Sequence, residues 1–163
     1  MHLRRRVTPR DRRDDERGAS LVEFALVLPV FVLLLFGLID FGLVFGGFIT
    51  LRADVNAAAR DISVDQLAAG CGGSTAFYCT AQSAIGSSLP GTSGSPAVAI
   101  AFPAGSSVGD PVEVCAETTL ESATGLLGFL LDGRHVTVHS EVRLEQAPTE
   151  TTSYPTSGFQ CPA

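Results

Sequence analysis

Residues 24–49 read FALVLPVFVLLLFGLIDFGLVFGGFI, twenty-six positions in which Asp40 is the only charge. As an α-helix this stretch is roughly 39 Å long, against about 30 Å of bilayer hydrocarbon. It predicts one transmembrane helix that crosses with tilt or projects slightly. A secretory signal peptide has a shorter apolar core, roughly 7–15 residues, followed by a small-residue cleavage site. No A-x-A pattern follows here before Leu51, so the segment is expected to stay on the protein. Nor does a chain of 163 residues offer a large partner domain to bury so apolar a helix.

Outward from the span, the charges are unevenly shared. Residues 1–18 hold seven arginines (Arg4, Arg5, Arg6, Arg10, Arg12, Arg13 and Arg17) against four acids, a balance of +3. Residues 52–163 hold four arginines against eleven acids, a balance of −7. Basic flank, apolar block and acidic body form the layout of a membrane-anchored protein with a cytoplasmic N-terminus and an extracytoplasmic C-terminal part. The 1–18 leader has no apolar periodicity and is expected to be disordered. Its arginines are interleaved with Asp11, Asp14, Asp15 and Glu16, and the chain as a whole is acidic, which argues against nucleic acid as a partner.

Past the span, TLRADVNAAARDISVDQLAA (50–69) keeps Leu51, Val55, Ala58, Ala59, Ile62 and Leu67 near helical spacing. One long helix over residues 19–69 is predicted, with its transmembrane part at about 24–49 and Gly70 as its stop. Residues 70–111 read as a Gly/Ser/Pro-rich loop region holding one short strand, Ala97–Phe102. Residues 112–146 read as a small β domain with alternating strands at Val112–Thr118 and Val136–Leu144, the second placing Val136, Val138, Ser140, Val142 and Leu144 on one face. The intervening ESATGLLGFLLDG reads as a short helix or apolar loop, and 147–163 as a Pro/Thr-rich tail. The expected fold class is α+β: a long N-terminal helix, transmembrane and continuing outside, with a small disulfide-stapled antiparallel β domain.

Cys71, Cys79, Cys115 and Cys161 all lie on the outer side of the span, with no C-x-x-C pair. An even count in an exported domain favours disulfides over zinc. Three connectivities are open; the expected one closes a local Cys71–Cys79 loop and leaves Cys115, on a strand, to hold Cys161. His135 and His139 fall on the polar face of their strand and read as solvent-exposed rather than as a metal pair. No G-x-S-x-G, P-loop or H-E-x-x-H pattern occurs, so neither catalytic residues, metal nor cofactor are expected.

The informative groups lie in the apolar block. A charged side chain at mid-bilayer costs about 2.5–3.5 kcal/mol on insertion scales and normally has a partner, which singles out Glu23 and Asp40. Glu23 also suits a first helical turn, where the helix dipole favours a carboxylate. Pro29 removes a hydrogen bond and loosens the helix locally. Gly42 and Gly46 form a G-x-x-x-G that can seat a neighbouring helix.

Arg17-Gly18-Ala19-Ser20-Leu21-Val22-Glu23-Phe24, then ALVLPVFVLLLFGLIDFG, then Asn56-Ala57-Ala58-Ala59-Arg60, closely resembles the TadE-like proteins, minor pseudopilins of tight-adherence (Tad) type IVb pilus systems. The resemblance covers roughly 16–62; Ser140–Glu145 also looks like the strand that ends many such domains. It implies a non-enzymatic, single-pass envelope protein with a prepilin processing site between Gly18 and Ala19, making Glu23 the fifth mature residue. It implies as partners other pilins or pseudopilins, membrane platform proteins of the pilus machinery, a prepilin peptidase and the lipid bilayer. The alternative is an uncleaved bitopic membrane protein whose extracytoplasmic domain binds a ligand or surface polymer.

Overall fold

The computed structural model describes residues 11–149, 153 and 159–161. In chain order these form α1 (Asp11–Ser63), α2 (Ala76–Ala84), β1 (Thr92–Ala101), β2 (Pro111–Leu120), α3 (Gly128–Leu131) and β3 (His135–Arg143). The chain divides into two compact units between Leu38 and Ile39.

In the first unit, α1 begins at Asp11, earlier than the 19–69 helix expected. Asp11–Arg17 contains no glycine, proline or β-branched residue, so nothing in its intrinsic preferences stops the helix there. The disordered leader expected over 1–18 is thus helical from Asp11, and residues 1–10 lie outside the described residues. Pro29 sits inside α1. The large apolar side chains of this unit, from Leu21 to Leu38, are exposed on nearly every side of the helix. Such a surface suits lipid, since a helix apolar all round has no polar face to offer water.

The second unit is a three-stranded antiparallel meander, in the order β1-β2-β3, packed against the C-terminal part of α1 and against α2. Strand alternation turns Val98 and Ile100 of β1, Val112, Val114 and Ala116 of β2, and Val138 of β3 toward one core. Leu51, Val55, Ala58, Ala59 and Ile62 of α1 and Phe77 and Ala81 of α2 meet them there, all essentially fully buried. The predicted stripe on α1 is therefore real up to Ile62. Each of the larger aliphatic or aromatic side chains contributes about 1.5–3 kcal/mol by leaving water.

The helix ends at Ser63 rather than at residue 69, and Leu67 lies beyond it, 36% exposed. Asp65 adopts the left-handed conformation (φ 55°). Gln66 N–H bonds to Asp61 O (2.8 Å) and Asp65 N–H to Ile62 O (3.1 Å), the paired bonds of a Schellman stop. Asp65 thus fills the place expected of Gly70, and its Oδ1 accepts bonds from the backbone N–H and the hydroxyl of Thr149 (3.1 and 3.0 Å). The backbone N–H groups of Glu145 and Gln146 bond to Ser63 O and so cover the helix end.

Two further departures lie in 70–111, which is more ordered than the loop expected. Ala76–Ala84 is a helix, held by buried Phe77 and Ala81 and by the Thr80 hydroxyl, which accepts from Ala68 N–H (3.1 Å). Strand β1 starts at Thr92 instead of Ala97. Its register shifts between Ser93 and Ala97, so Gly94, Ser95 and Pro96 sit in an irregularity where the ladder does not need the missing proline N–H.

The cysteines pair as Cys71–Cys79 and Cys115–Cys161, with Cα–Cα distances of 5.6 and 5.5 Å. The second bond holds Cys161 against the sheet at Cys115, which is fully buried.

Candidate functional site

The most constrained polar group of the second unit is Asp40. It is 1% exposed although it lies within the apolar block. Its Oδ2 accepts hydrogen bonds from the hydroxyls of Ser122 and Thr124 (both 2.7 Å), and its Oδ1 accepts one from the Thr124 backbone N–H (3.0 Å). Charge-assisted bonds of this kind are about twice as strong as neutral ones. The loop that supplies them is organised in turn: Ser122 N–H donates to Asp132 Oδ1 (2.7 Å), and Gly125 N–H donates to Ser122 Oγ (2.9 Å). The partner that a carboxylate here requires is therefore a loop of the same chain.

The loop sits where the ends of the sheet come together. Glu121 N–H bonds to Gly91 O (3.0 Å), and Leu120 N–H to Arg134 O (2.7 Å). One and two turns along α1 from Asp40, the backbone of residues 90–91 touches the helix directly. A Cβ on Gly47 would run into the Pro90 carbonyl oxygen, and one on Gly91 would lie 2.8 Å from Val44 N. Gly91 also has φ 69°, so only glycine suits it on both counts. Asp40, Gly47 and Leu51 lie on one face of α1 by their 7- and 4-residue spacing. That face is the one the sheet covers.

Beside this contact lies an apolar cavity of about 270 Å³, lined in part by Val44, Phe45 and Phe48 of α1 and by Thr118, Leu120 and Val136 of the sheet. The buried Thr118 hydroxyl on its wall has no hydrogen-bond partner among the described residues.

The other sequence-expected residues are placed as follows. Gly18 and Glu23 are exposed on α1. A Cβ on Gly42 or Gly46 would meet nothing within 4 Å, so the G-x-x-x-G face is open. His135 and His139 are both exposed, as expected; His135 Nδ1 lies 3.4 Å from Glu117 Oε1. Among the described residues, ligand-type atoms cluster at Glu113, Cys115 and Cys161, but both sulfurs belong to a disulfide and offer no thiolate.

The block from Gly18 through Asp40 to Arg60 is also where likeness to known proteins falls. Residues 18–61 match the family model described as TadE-like protein. No curated protein and no solved structure matches the chain. The TadE-like segment takes in Gly18, Glu23, Pro29, Asp40, Gly42 and Gly46, and ends before α2 and the sheet. The same segment includes most of a helix that is long and apolar enough to cross a bilayer. Sequence reasoning had Asp40 but not its partners. Their signal was the Ser-x-Thr of residues 122–124, two hydroxyls beside a Gly turn in an otherwise apolar loop.

Proposed function

We propose that the protein is a minor pilin or assembly factor of a Tad type IVb pilus, anchored by one transmembrane helix with its sheet unit outside the cytoplasmic membrane. The observation that carries this reading is the TadE-like match over 18–61, which begins at the glycine of a G|xxxxE[FY] processing pattern and runs into an apolar helix. Hydrolysis of the Gly18–Ala19 peptide bond by a prepilin peptidase removes the arginine-rich leader and frees an α-amine four residues before Glu23. In subunits staggered along an axis, that amine meets a neighbour's Glu23 carboxylate. The pair offsets the desolvation of both groups and sets the axial register. Pro29 loosens the helix as it leaves lipid, and the open Gly42–Gly46 face accepts a neighbouring helix. The partners on this reading are other pilins and the membrane platform of the pilus machinery, and the role is structural rather than enzymatic.

The uncleaved, ligand-binding alternative is favoured by one feature, the apolar cavity with the unpaired Thr118 hydroxyl. A deletion strain separates the two. Loss of pili restored by the wild-type gene, and not by a Glu23→Ala variant that still inserts in the membrane, supports the pilin reading. Normal piliation with Glu23→Ala as the sole copy defeats it.

A further inference from the structure

Residues 122–131, SATGLLGFLL, contain no charge, yet three of their large apolar side chains face outward: Leu126 is 49% exposed, Phe129 87% and Leu130 46%. Only Leu131, at the end of α3, turns inward among the buried residues. A cluster like this on a small polar-surfaced domain marks a contact site. Two observations say with what. First, the loop is tied to α1 at Asp40 by the three hydrogen bonds of Ser122 and Thr124, so Leu126, Phe129 and Leu130 are carried on a loop anchored at the level of helix residue 40. Second, Asp40 lies near where the membrane ends on a length argument: a helix entering at Phe24, where the apolar run starts, crosses about 30 Å of hydrocarbon in roughly 20 residues, by about residue 44. Ile39 and Phe41, on either side of Asp40, are themselves exposed.

We propose that the 122–131 loop is a second membrane contact, with Leu126, Phe129 and Leu130 dipping into the outer leaflet beside the exit of α1. The inference rests on the membrane-anchored reading above. It moves the outer boundary of the span from residue 49 to about residue 44. Asp40 then stands about one turn inside that boundary, shielded by the loop that it holds down. Glu121 and Asp132 flank the apolar run, where their charges reach the headgroups and water.

The chain has no tryptophan, so a single introduced one reports its own surroundings. Phe129→Trp, Leu35→Trp and Val108→Trp are made in the full chain and reconstituted in phosphatidylcholine–phosphatidylglycerol vesicles with and without acyl-chain bromines. Val108 is exposed in the β1–β2 hairpin, a strand length of roughly 30 Å from the Asp40 end of the sheet. Leu35→Trp and Phe129→Trp should lose most of their emission to brominated lipid, the latter with a blue shift, while Val108→Trp keeps its emission. Equal Phe129→Trp emission in both vesicles with Leu35→Trp quenched overturns the proposal and leaves the anchor standing. Shielding of Phe129→Trp from aqueous iodide without lipid quenching overturns it in favour of a protein partner. An unquenched Leu35→Trp overturns the anchor and the proposal together.

Discussion

Asp40 shows how one side chain joins two parts of the sequence eighty residues apart. A buried carboxylate without donors is costly, and here a short loop brings two hydroxyls and a backbone N–H to it. Removing the acceptor leaves those donors with no protein partner, at about 1–3 kcal/mol for each group that water cannot reach. Ser122 and Thr124 are only part-buried, so water recovers some of that loss. Asp40→Ala should therefore destabilise the sheet unit by about 1–3 kcal/mol in all, read as a lower urea midpoint of the full chain in detergent. Asp40→Asn keeps one acceptor oxygen and should regain part of the difference. An unchanged midpoint for Asp40→Ala would mean that the loop does not hold the helix. The acid itself was legible in the sequence as a charge that needs a partner. Its donors were not, because proximity across eighty residues comes from the meander and leaves no local pattern.

Among the elements, those with a strong period were readable and those without were not. The stripe Leu51, Val55, Ala58, Ala59 and Ile62 repeats at helical spacing and packs as that repeat predicts. β2 and β3 alternate cleanly and pair antiparallel, Ala116 opposite Val138 and Val112 opposite Val142. α2 was missed although Phe77, Ala81 and Ile85 recur every four residues, because glycines and serines on both sides mask a nine-residue helix. The stop at Ser63 was missed because an aspartate, not a glycine, takes the left-handed turn. The disulfides join these elements. On the chain-entropy model, the 46-residue Cys115–Cys161 closure stabilises by about 4 kcal/mol and the 8-residue Cys71–Cys79 closure by about 2.5 kcal/mol. Replacing Cys115 and Cys161 together by Ser should therefore lower the denaturation midpoint more than replacing Cys71 and Cys79. The reverse order, or four free thiols on non-reducing peptide mapping, contradicts the pairing.

At the scale of the whole molecule, a basic flank, a helix long and apolar enough to cross a bilayer and an acidic remainder fit a membrane anchor. The second unit was legible only as a class of fold. Its contact with α1 depends on fits such as Gly47 against Pro90, which no spacing rule encodes. On the pilin reading proposed above, the chain is made as a precursor and cut between Gly18 and Ala19. Gly18 lies inside α1, so a peptidase must open the helix there. Glycine makes that opening easier by about 1 kcal/mol relative to alanine, and adds no side chain to obstruct an active site. The intact mass of the protein from its native membrane tests this most directly. A species lacking residues 1–18 and beginning at Ala19 is the predicted result; a full-length chain in cells with an active prepilin peptidase would contradict it.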